Sequence, residues 1–364
     1  MPKINVYEQD LTKSGSEYSS NRLVLVVGGA ECSTVELFED TTAFKAKVAK
    51  PESNDVGYIM ALTLLKEGMQ VLYTSDLDTH KEDLKDKSLY DMRFLISSNA
   101  EDDIKLKEIS AARQDCIAIL SATGAYTDVA EEFKTGKWED KFAAAFAPEI
   151  KIPCKQFDKE LGLTGDFVTF PAGFGYLLAF ATSTKHNPTW FAVAGNARGR
   201  SGYSMEPTYK YGTAAIDLFQ SRDSGKVNIN PICNIRPFGN IIWGNRTLCP
   251  VGNSGSDLQD DLVASNFLNV TNLVIDIKKK VYEACRKLTF EQNTDTLWSR
   301  FTAEIEPLLD SMVSGNGIEG YKLSKKEADV KAKMVATIRI VPIEAVEDFD
   351  ITVEMGDAIE VVEA

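Results

Sequence analysis

Residues 23–27 read Leu-Val-Leu-Val-Val, and residues 116–122 read Cys-Ile-Ala-Ile-Leu-Ser-Ala. Neither run alternates apolar with polar, so neither can leave one face in water. A strand of this kind must be covered on both faces, as in a parallel sheet with helices above and below it. The intervening sequence offers such helices. Val56–Gly68 reads as an amphipathic helix closed by glycine, and "DIKLKEISAARQ" as another. "MQVLYTSDL" and "YDMRFLISSN" read as further strands, and "EFKTGKWEDKFAAAFAPEIKIP" as a helix running into a strand. The order strand, helix, strand predicts an α/β body.

The second half changes character. Short strands and turns dominate 209–253, and two helical stripes follow. Val270, Leu273, Val274, Ile277, Val281, Ala284, Cys285 and Leu288 form the first; Leu297, Phe301, Ile305, Leu308, Leu309 and Met312 form the second. Thr294 is the expected N-cap of the second helix and Gly315 its terminator, with a kink expected at Pro307. "EGYKL" and "VATIRIVPI" read as strands. The sequence then ends on "EDFDITVEM", in which Phe349, Ile351, Val353 and Met355 alternate with Asp350, Thr352 and Glu354. That is the period of a half-buried strand, yet no hairpin partner stands beside it. Near the other end, Ile4-Asn-Val6 is followed by the linker-like "LTKSGSEYSSNR". Each of these strands needs a neighbour for its backbone groups, either far back in this chain or in another chain.

Bulk properties narrow the function. A length of 364 residues suggests two or more domains, and 44% hydrophobic with 26% charged residues argues against a disordered chain. The net charge of −14 is the wrong sign for coating nucleic acid or an anionic membrane surface. No run is long and apolar enough for a membrane span, and the first residues lack a signal-peptide layout. The six cysteines are dispersed without a CxxC pair and read as reduced packing residues of a cytoplasmically made protein. With two histidines, His80 and His186, both in polar settings, neither a zinc site nor a His-based catalytic set is expected. "VLVVGGAECST" lacks GxGxxG and reads as a tight turn after a strand; there is no GxxxxGK[ST] and no GxSxG. An α/β hydrolase or nucleotide-binding enzyme is therefore a remote alternative, and no catalytic, cofactor-binding or metal residue is assigned. Two basic clusters, Lys278–Lys280 with Arg286 and Lys287, and Lys322, Lys325, Lys326, Lys331 and Lys333, read as solvated faces or as docking patches for an acidic partner. From Glu347 onward there are seven acidic residues and no basic one.

Several stretches, in order, resemble the tail sheath proteins of contractile phage tails and related pyocin-like particles. "INPICNIRPFGNIIWGNRTL" carries Gly239, Trp243, Gly244, Arg246, Thr247 and Leu248 in a pattern similar to the family's G-x-x-x-W-G-x-R-T-L element. The block from Asn269, with Phe290-Glu291-x-Asn293, Leu297-Trp298, Gly315 and Gly317, resembles its two-helix core. "AARQDCIAILSAT" and "NPTWFAVAGN" are similar to parts of its so-called subtilisin-like domain, and "ATIRIVPIEAVEDFDITVEM" to its last strands. The resemblance implies a mixed α/β fold: a subtilisin-like α/β domain and an α+β C-terminal domain, with extended N- and C-terminal strand arms. The corresponding division is 1–22 as N-terminal arm, 23–95 as the N-terminal α/β part of the core, 96–228 as the subtilisin-like domain, 229–345 as the C-terminal sheath domain and 346–364 as C-terminal arm.

The same resemblance implies a structural, non-enzymatic subunit that polymerises as a helical sheath around an inner tail tube and contracts to drive the tube through a cell envelope. It requires no cofactor. The implied partners are further copies of the chain, the tube protein, and baseplate and tail terminator proteins, with no direct nucleic acid contact and no membrane insertion. The implied location is a virion tail assembled in the host bacterial cytoplasm; a headless bacteriocin or injection system is the alternative setting. Ile4, Val6, Tyr7, Phe349, Ile351, Val353 and Met355 are then the candidate arm-strand residues. Ile338 and Ile340 belong to the host sheet, and Lys325, Lys326, Lys331 and Lys333 are candidates for touching the tube. Fold resemblance to subtilisin carries no protease activity without a matching Ser/His/Asp set.

Overall fold

A computed structural model of the chain describes residues 22–51, 54–125, 127–129, 133, 138–220, 228–251, 263–327 and 333–345. Six strands run parallel: β1 (Leu23–Val27), β3 (Gln70–Thr74), β4 (Phe94–Ser97), β5 (Ile117–Ser121), β6 (Ala143–Ala147) and β10 (Asn230–Ile235). β2 (Glu36–Phe38) lies antiparallel on β3, and β11 (Gly239–Ile242) antiparallel on β10. The order across the sheet is β11-β10-β6-β5-β4-β1-β3-β2. Strands from 23–95, from 96–228 and from the start of 229–345 thus share one sheet.

Successive side chains of a strand point to opposite faces. Val24, Val26, Ile117 and Ile119 go to the face covered by α2 (Val56–Lys66) and α5 (Ala172–Ser183). Leu25, Ala118 and Leu120 go to the face covered by α3 (Leu77–Lys85) and α4 (Asp103–Arg113). Every residue of β1, β4, β5 and β6 is buried. A three-stranded antiparallel sheet, β8 (Phe167–Phe170), β7 (Ile150–Pro153) and β9 (Glu206–Pro207), flanks this body with the short helices α1 (Thr41–Lys47), α6 (Gly195–Arg198) and α7 (Thr213–Phe219).

Two local expectations are corrected. Ala143–Ala147 is a strand, not a helix: alanine is the best helix former, but tertiary packing overrides propensity where five consecutive small or aromatic side chains fill a slot between β5 and β10. α2 is not amphipathic, because every residue from Gly57 to Leu65 is buried; α1, α5 and β8 cover the side that would otherwise face water.

The remaining elements form a C-terminal lobe: α8 (Leu268–Leu288), α9 (Asp295–Ser314), and the antiparallel pair β12 (Ile318–Lys326) and β13 (Val335–Pro342). Thr294 is the N-cap residue of α9 and Gly315 its C-cap, and the helix continues through Pro307. The element around Trp243 joins the two lobes. Asn230 of β10 donates to the carbonyls of Ala145 (3.1 Å) and Arg246 (2.7 Å) and accepts from Arg246 N. A Cβ at residue 244 would lie 2.7 Å from Asn230 Oδ1 and 3.0 Å from Asn230 Cα, so only glycine permits that approach. Thr247 Oγ1 donates to Ser265 O at 2.6 Å, and buried Leu248 donates its N–H to Ala143 O at 2.8 Å.

Two further ties cross the same joint. Trp190 Nε1 donates to Gly315 O at 3.1 Å, and its ring stands where a Cβ on Gly317 would be. Arg93, fully buried before β4, pairs with Asp276 of α8 and donates to Asn272 Oδ1 at 3.1 Å, while Thr189 Oγ1 donates to the other Asp276 oxygen at 2.5 Å. A buried ion pair adds little over apolar packing, but loss of one partner strands the other charge. Desolvation pulls the Arg93 guanidinium down to about 10, consistent with a cation held out of water. Asn245 and Asn269, which match a glycosylation pattern, are buried and bonded to each other at 2.7 Å.

Candidate assembly surface

The C-terminal lobe buries Leu273, Ile277, Ala284, Phe301, Ile305, Leu308, Leu309, Met312 and Ile318 between its helices. β12 and β13 lie over this cluster, with Tyr321, Leu323, Ala336, Ile338 and Ile340 facing the helices and only partly buried. Their register sets Tyr321 opposite Ile340 and Leu323 opposite Ile338. None of the eight residues of β13 is buried, and among the described residues β13 pairs with β12 alone. Its outer edge therefore offers a row of backbone donors and acceptors, and a two-stranded pair of this kind depends on the helices beneath it. Val341 and Ile343 extend this exposed apolar margin, at 54% and 36% exposure.

Beside that edge a groove of 1190 Å³ separates α8 from the sheet body. Ile277, Val281, Leu308 and Ile338 give it an apolar floor, and no residue of β12 lines it. Its far wall is the loop carrying Lys87, Ser88 and Leu89. Arg113 fixes that loop: it donates to the carbonyls of Leu84 (3.0 Å), Asp86 (2.9 Å) and Tyr90 (2.7 Å), and forms a two-pronged pair with Asp115 at 2.9 and 3.1 Å. The groove is thus a built feature with one wall on each lobe.

The first basic cluster does not lie simply on a solvated face. Lys279 turns inward to Asp91 and to Met92 O (2.8 Å), and desolvation lowers its pKa. Lys278 donates to Gln114 O at 2.9 Å. Lys280 and Lys287 form exposed pairs with Glu283 and Glu304, which add little stability. Cys285, expected to pack, is instead exposed and lines the groove; all six cysteines are free thiols.

On the outer face of the β-pair Lys322 sits directly opposite Arg339, and Lys326 opposite Val335. Neither Lys322 nor Arg339 has an ion-pair partner among the described residues. Lys325 reaches Asp295 at 3.0 Å, and Lys333 O accepts from Asn293, so these two lysines and Lys326 gather at the end of the lobe where α8 turns into α9. Lys331 and the arm positions Ile4, Val6, Tyr7, Phe349, Ile351, Val353 and Met355 lie outside the described residues. Sequence reading missed the groove because its walls, near residues 87–91 and 277–287, are brought together only by the fold.

Doubly wound sheets bind nucleotides beyond the C-terminal ends of the strands where the strand order reverses, which here is between the paired strands β1 and β4. That position is filled. A Cβ on Gly57 would come within 2.3 Å of Gly28 Cα, so the helix packs directly on the turn after β1. At that helix N-terminus Asp55 accepts from Tyr58 N at 2.6 Å and flanks Gly29. The chain's own carboxylate thus takes the Tyr58 N–H at the helix end where a phosphate would otherwise sit. His80 Nε2 is bonded to Ser33 O at 2.7 Å and His186 is exposed in a turn. No group of three potential metal ligands occurs among the described residues, and no described helix is long and apolar enough to cross a membrane.

Residues 264–356 match the family model of the phage tail sheath C-terminal domain. Among solved structures, the sheath complex of the PVC extracellular contractile injection system, in its contracted state, superposes with a TM-score of 0.72 at 15% identity, covering 98% of both chains. The contracted helical sheath of the anti-feeding prophage gives 0.65 at 13% identity, covering 98% of this chain and 99% of that one. The sheath tail protein of Desulfitobacterium hafniense gives 0.57 at 8% identity, covering 93% and 100%. Among curated proteins none matches the sequence. At such identities the superpositions establish fold.

Proposed function

We infer that this chain, with a tail sheath C-terminal domain at residues 264–356 and the contractile sheath fold over nearly its whole length, is the structural subunit of a contractile sheath. Its role in this reading is mechanical. Copies polymerise into a helical tube around an inner tail tube, dock on a baseplate, and shorten to drive the tube through an envelope. A body of residues 23–345 is flanked by two linking arms, 1–22 and 346–364.

The observation that carries this reading is the unfinished sheet: among the described residues β13 has a free edge beside an apolar-floored groove, and residues 347–355 alternate apolar with polar in the period of a half-buried strand. Residues 347–355 of one copy, added to β13 of another, would lay Phe349, Ile351, Val353 and Met355 on the helices. Asp350 and Glu354 would then share the outer face with Lys322 and Arg339, cancelling a like-charge pair. Ile4, Val6 and Tyr7 would supply a second borrowed strand. Each strand offers about four backbone hydrogen bonds at about 0.5–1.5 kcal/mol net, and burial of each large apolar side chain adds roughly 1.5–3 kcal/mol as an upper bound. Arm ordering offsets much of this, so strength comes from many links per subunit. A head-to-tail link that does not close on itself builds a tube, and connectors let the bodies swing while the links hold. The cations Lys325, Lys326, Lys331 and Lys333 are the proposed contact for an acidic inner tube.

Truncation tests the arms. Deletion of 346–364, or of 1–20, is expected to leave a folded monomer that forms no tubes in electron micrographs; normal tubes from either truncation would refute the linking role. A headless injection particle is the second reading of the setting, favoured by end-to-end likeness to the injection-system sheath. Purified particles carrying capsids and DNA would decide for a phage.

A further inference from the structure

The lower end of the groove carries an unusual charge arrangement for a chain of net charge −14. Lys278 Nζ stands 4.4 Å from the centroid of the Phe142 ring, and Lys141 Nζ stands 5.5 Å from the same ring. Lys87 lines the groove with Lys278, on the opposite wall. Three ammonium groups from three elements therefore converge, and none makes an ion pair among the described residues. The carboxylates nearest to them are committed elsewhere: Asp115 is gripped by Arg113, and Asp140 accepts from Phe142 N at 2.7 Å. Burial depresses the Lys278 pKa, the Lys141 and Lys87 charges depress it further, and the Asp115 charge offsets this only in part.

We propose that residues 356–364 of one copy, beyond its linking strand, lie in this groove of a second copy and set Asp357, Glu360 and Glu363 against Lys87, Lys141 and Lys278. The proposal rests on the reading that residues 347–355 pair with β13 of that second copy. The reach is sufficient. From Lys287 to Lys278, both lining the groove, is nine residues of α8, about 14 Å. Nine extended residues span up to about 30 Å. The chemistry also matches, since "GDAIEVVEA" places Ile359, Val361 and Val362 among its acids, and the groove offers exposed Leu89 and Tyr282. Residues 346–364 together carry seven acids and no base; residues 252–262, also outside the described residues, carry three acids and no base. The β13 edge thereby selects a strand, and the lysine end of the groove selects this arm over the nearly neutral one at the other end of the chain.

The full-length chain, a 356–364 deletion, a 346–364 deletion and the combined variant Lys87→Glu, Lys141→Glu, Lys278→Glu are assembled in parallel, with turbidity and micrographs giving the critical concentration. Circular dichroism melts check folding, and Lys87→Gln with Lys141→Gln is the milder pair should the triple variant not fold. The 356–364 deletion and the lysine variants are each expected to raise the critical concentration about tenfold at low salt, with the difference from full-length vanishing toward 1 M salt. Reversing the tail as well, with Asp357→Lys, Glu360→Lys and Glu363→Lys, is expected to restore the triple variant. Carbodiimide treatment of mixed light- and heavy-isotope subunits is expected to join Glu360 or Glu363 to Lys87 or Lys278 of a different copy. A 356–364 deletion that assembles like full-length at low salt, while the 346–364 deletion does not, overturns the proposal and spares the linking strand. Lysine variants that weaken assembly where the 356–364 deletion does not would assign the cluster to another partner, which also overturns it. Normal tubes from the 346–364 deletion would refute the underlying strand exchange instead.

Discussion

Val24, Leu25 and Val26 in the large sheet have no exposed surface, whereas β13 contains no buried residue at all. The large sheet has helices on both faces, and antiparallel β2 and β11 close its two sides. At the β11 side the edge is blunted: Ile242 N donates to Gly199 O, and a Cβ on Gly199 would meet Ile242 O at 2.6 Å. The β12–β13 pair has helices beneath one face, an outer face with opposed cations and, among the described residues, a free edge. One region is finished within the chain. Under the proposed reading the other is half of a structure completed by a neighbouring copy, and a contracting sheath would need both: a rigid body to transmit force and an edge that can be shared.

Substitutions can break this contrast, and the largest stability effects belong at the joint. Asp276→Ala leaves Arg93 buried without its carboxylate and is expected to cost about 3–5 kcal/mol in urea unfolding. Replacing both, Arg93→Met with Asp276→Leu, is expected to recover most of that loss. A cost for the single variant below about 1 kcal/mol would mean the lobes are not held together by this pair. Next comes core truncation. Ile119→Ala, fully buried between helices, is expected to cost about 2–5 kcal/mol, while Ile338→Ala on β13 is expected to cost the monomer under about 1.5 kcal/mol yet impair tube formation. Equal losses at the two sites would erase the distinction between a closed and an unfinished sheet. Gly57→Ala forces a methyl against Gly28 backbone at 2.3 Å and is expected to cost about 1–3 kcal/mol by thermal melt, a measure of how tightly the nucleotide-type crevice is shut.

What was legible in the sequence follows the same divide. The runs at 23–27 and 117–121 announced a covered sheet because unbroken apolarity has few other uses, and the stripes of α8 and α9 announced a helix pair. Ala143–Ala147 misled because alanine carries no strand signature; only the slot between β5 and β10 makes it one. The motif around Trp243 was readable as a pattern but not as a joint, since Asn230, Gly244 and Leu248 acquire their roles by meeting Ala145, Arg246 and Ala143 across the fold. Lys279, read as lying on a solvated face or docking patch, turns inward for a related reason. Helical spacing tells which residues share a face, but not that the loop before β4 arrives over part of that face and draws Lys279 in.

The smallest expected effect on the monomer is the most discriminating. Lys322 and Arg339 are direct cross-strand neighbours, and like charges so placed oppose pairing. Lys322→Glu turns repulsion into attraction. If β12–β13 were complete in itself, the variant would be a few tenths of a kcal/mol more stable by thermal melt and nothing else would change. If the outer face awaits Asp350 and Glu354 of a borrowed strand, the same substitution puts an acid among acids, so the monomer gains slightly while the critical concentration for tubes rises. Opposite signs in the two measurements identify a surface whose charge is set for a partner and tolerated by the subunit. A gain in both would show that the opposed cations serve no assembly role, and that the large and small sheets differ in size but not in kind.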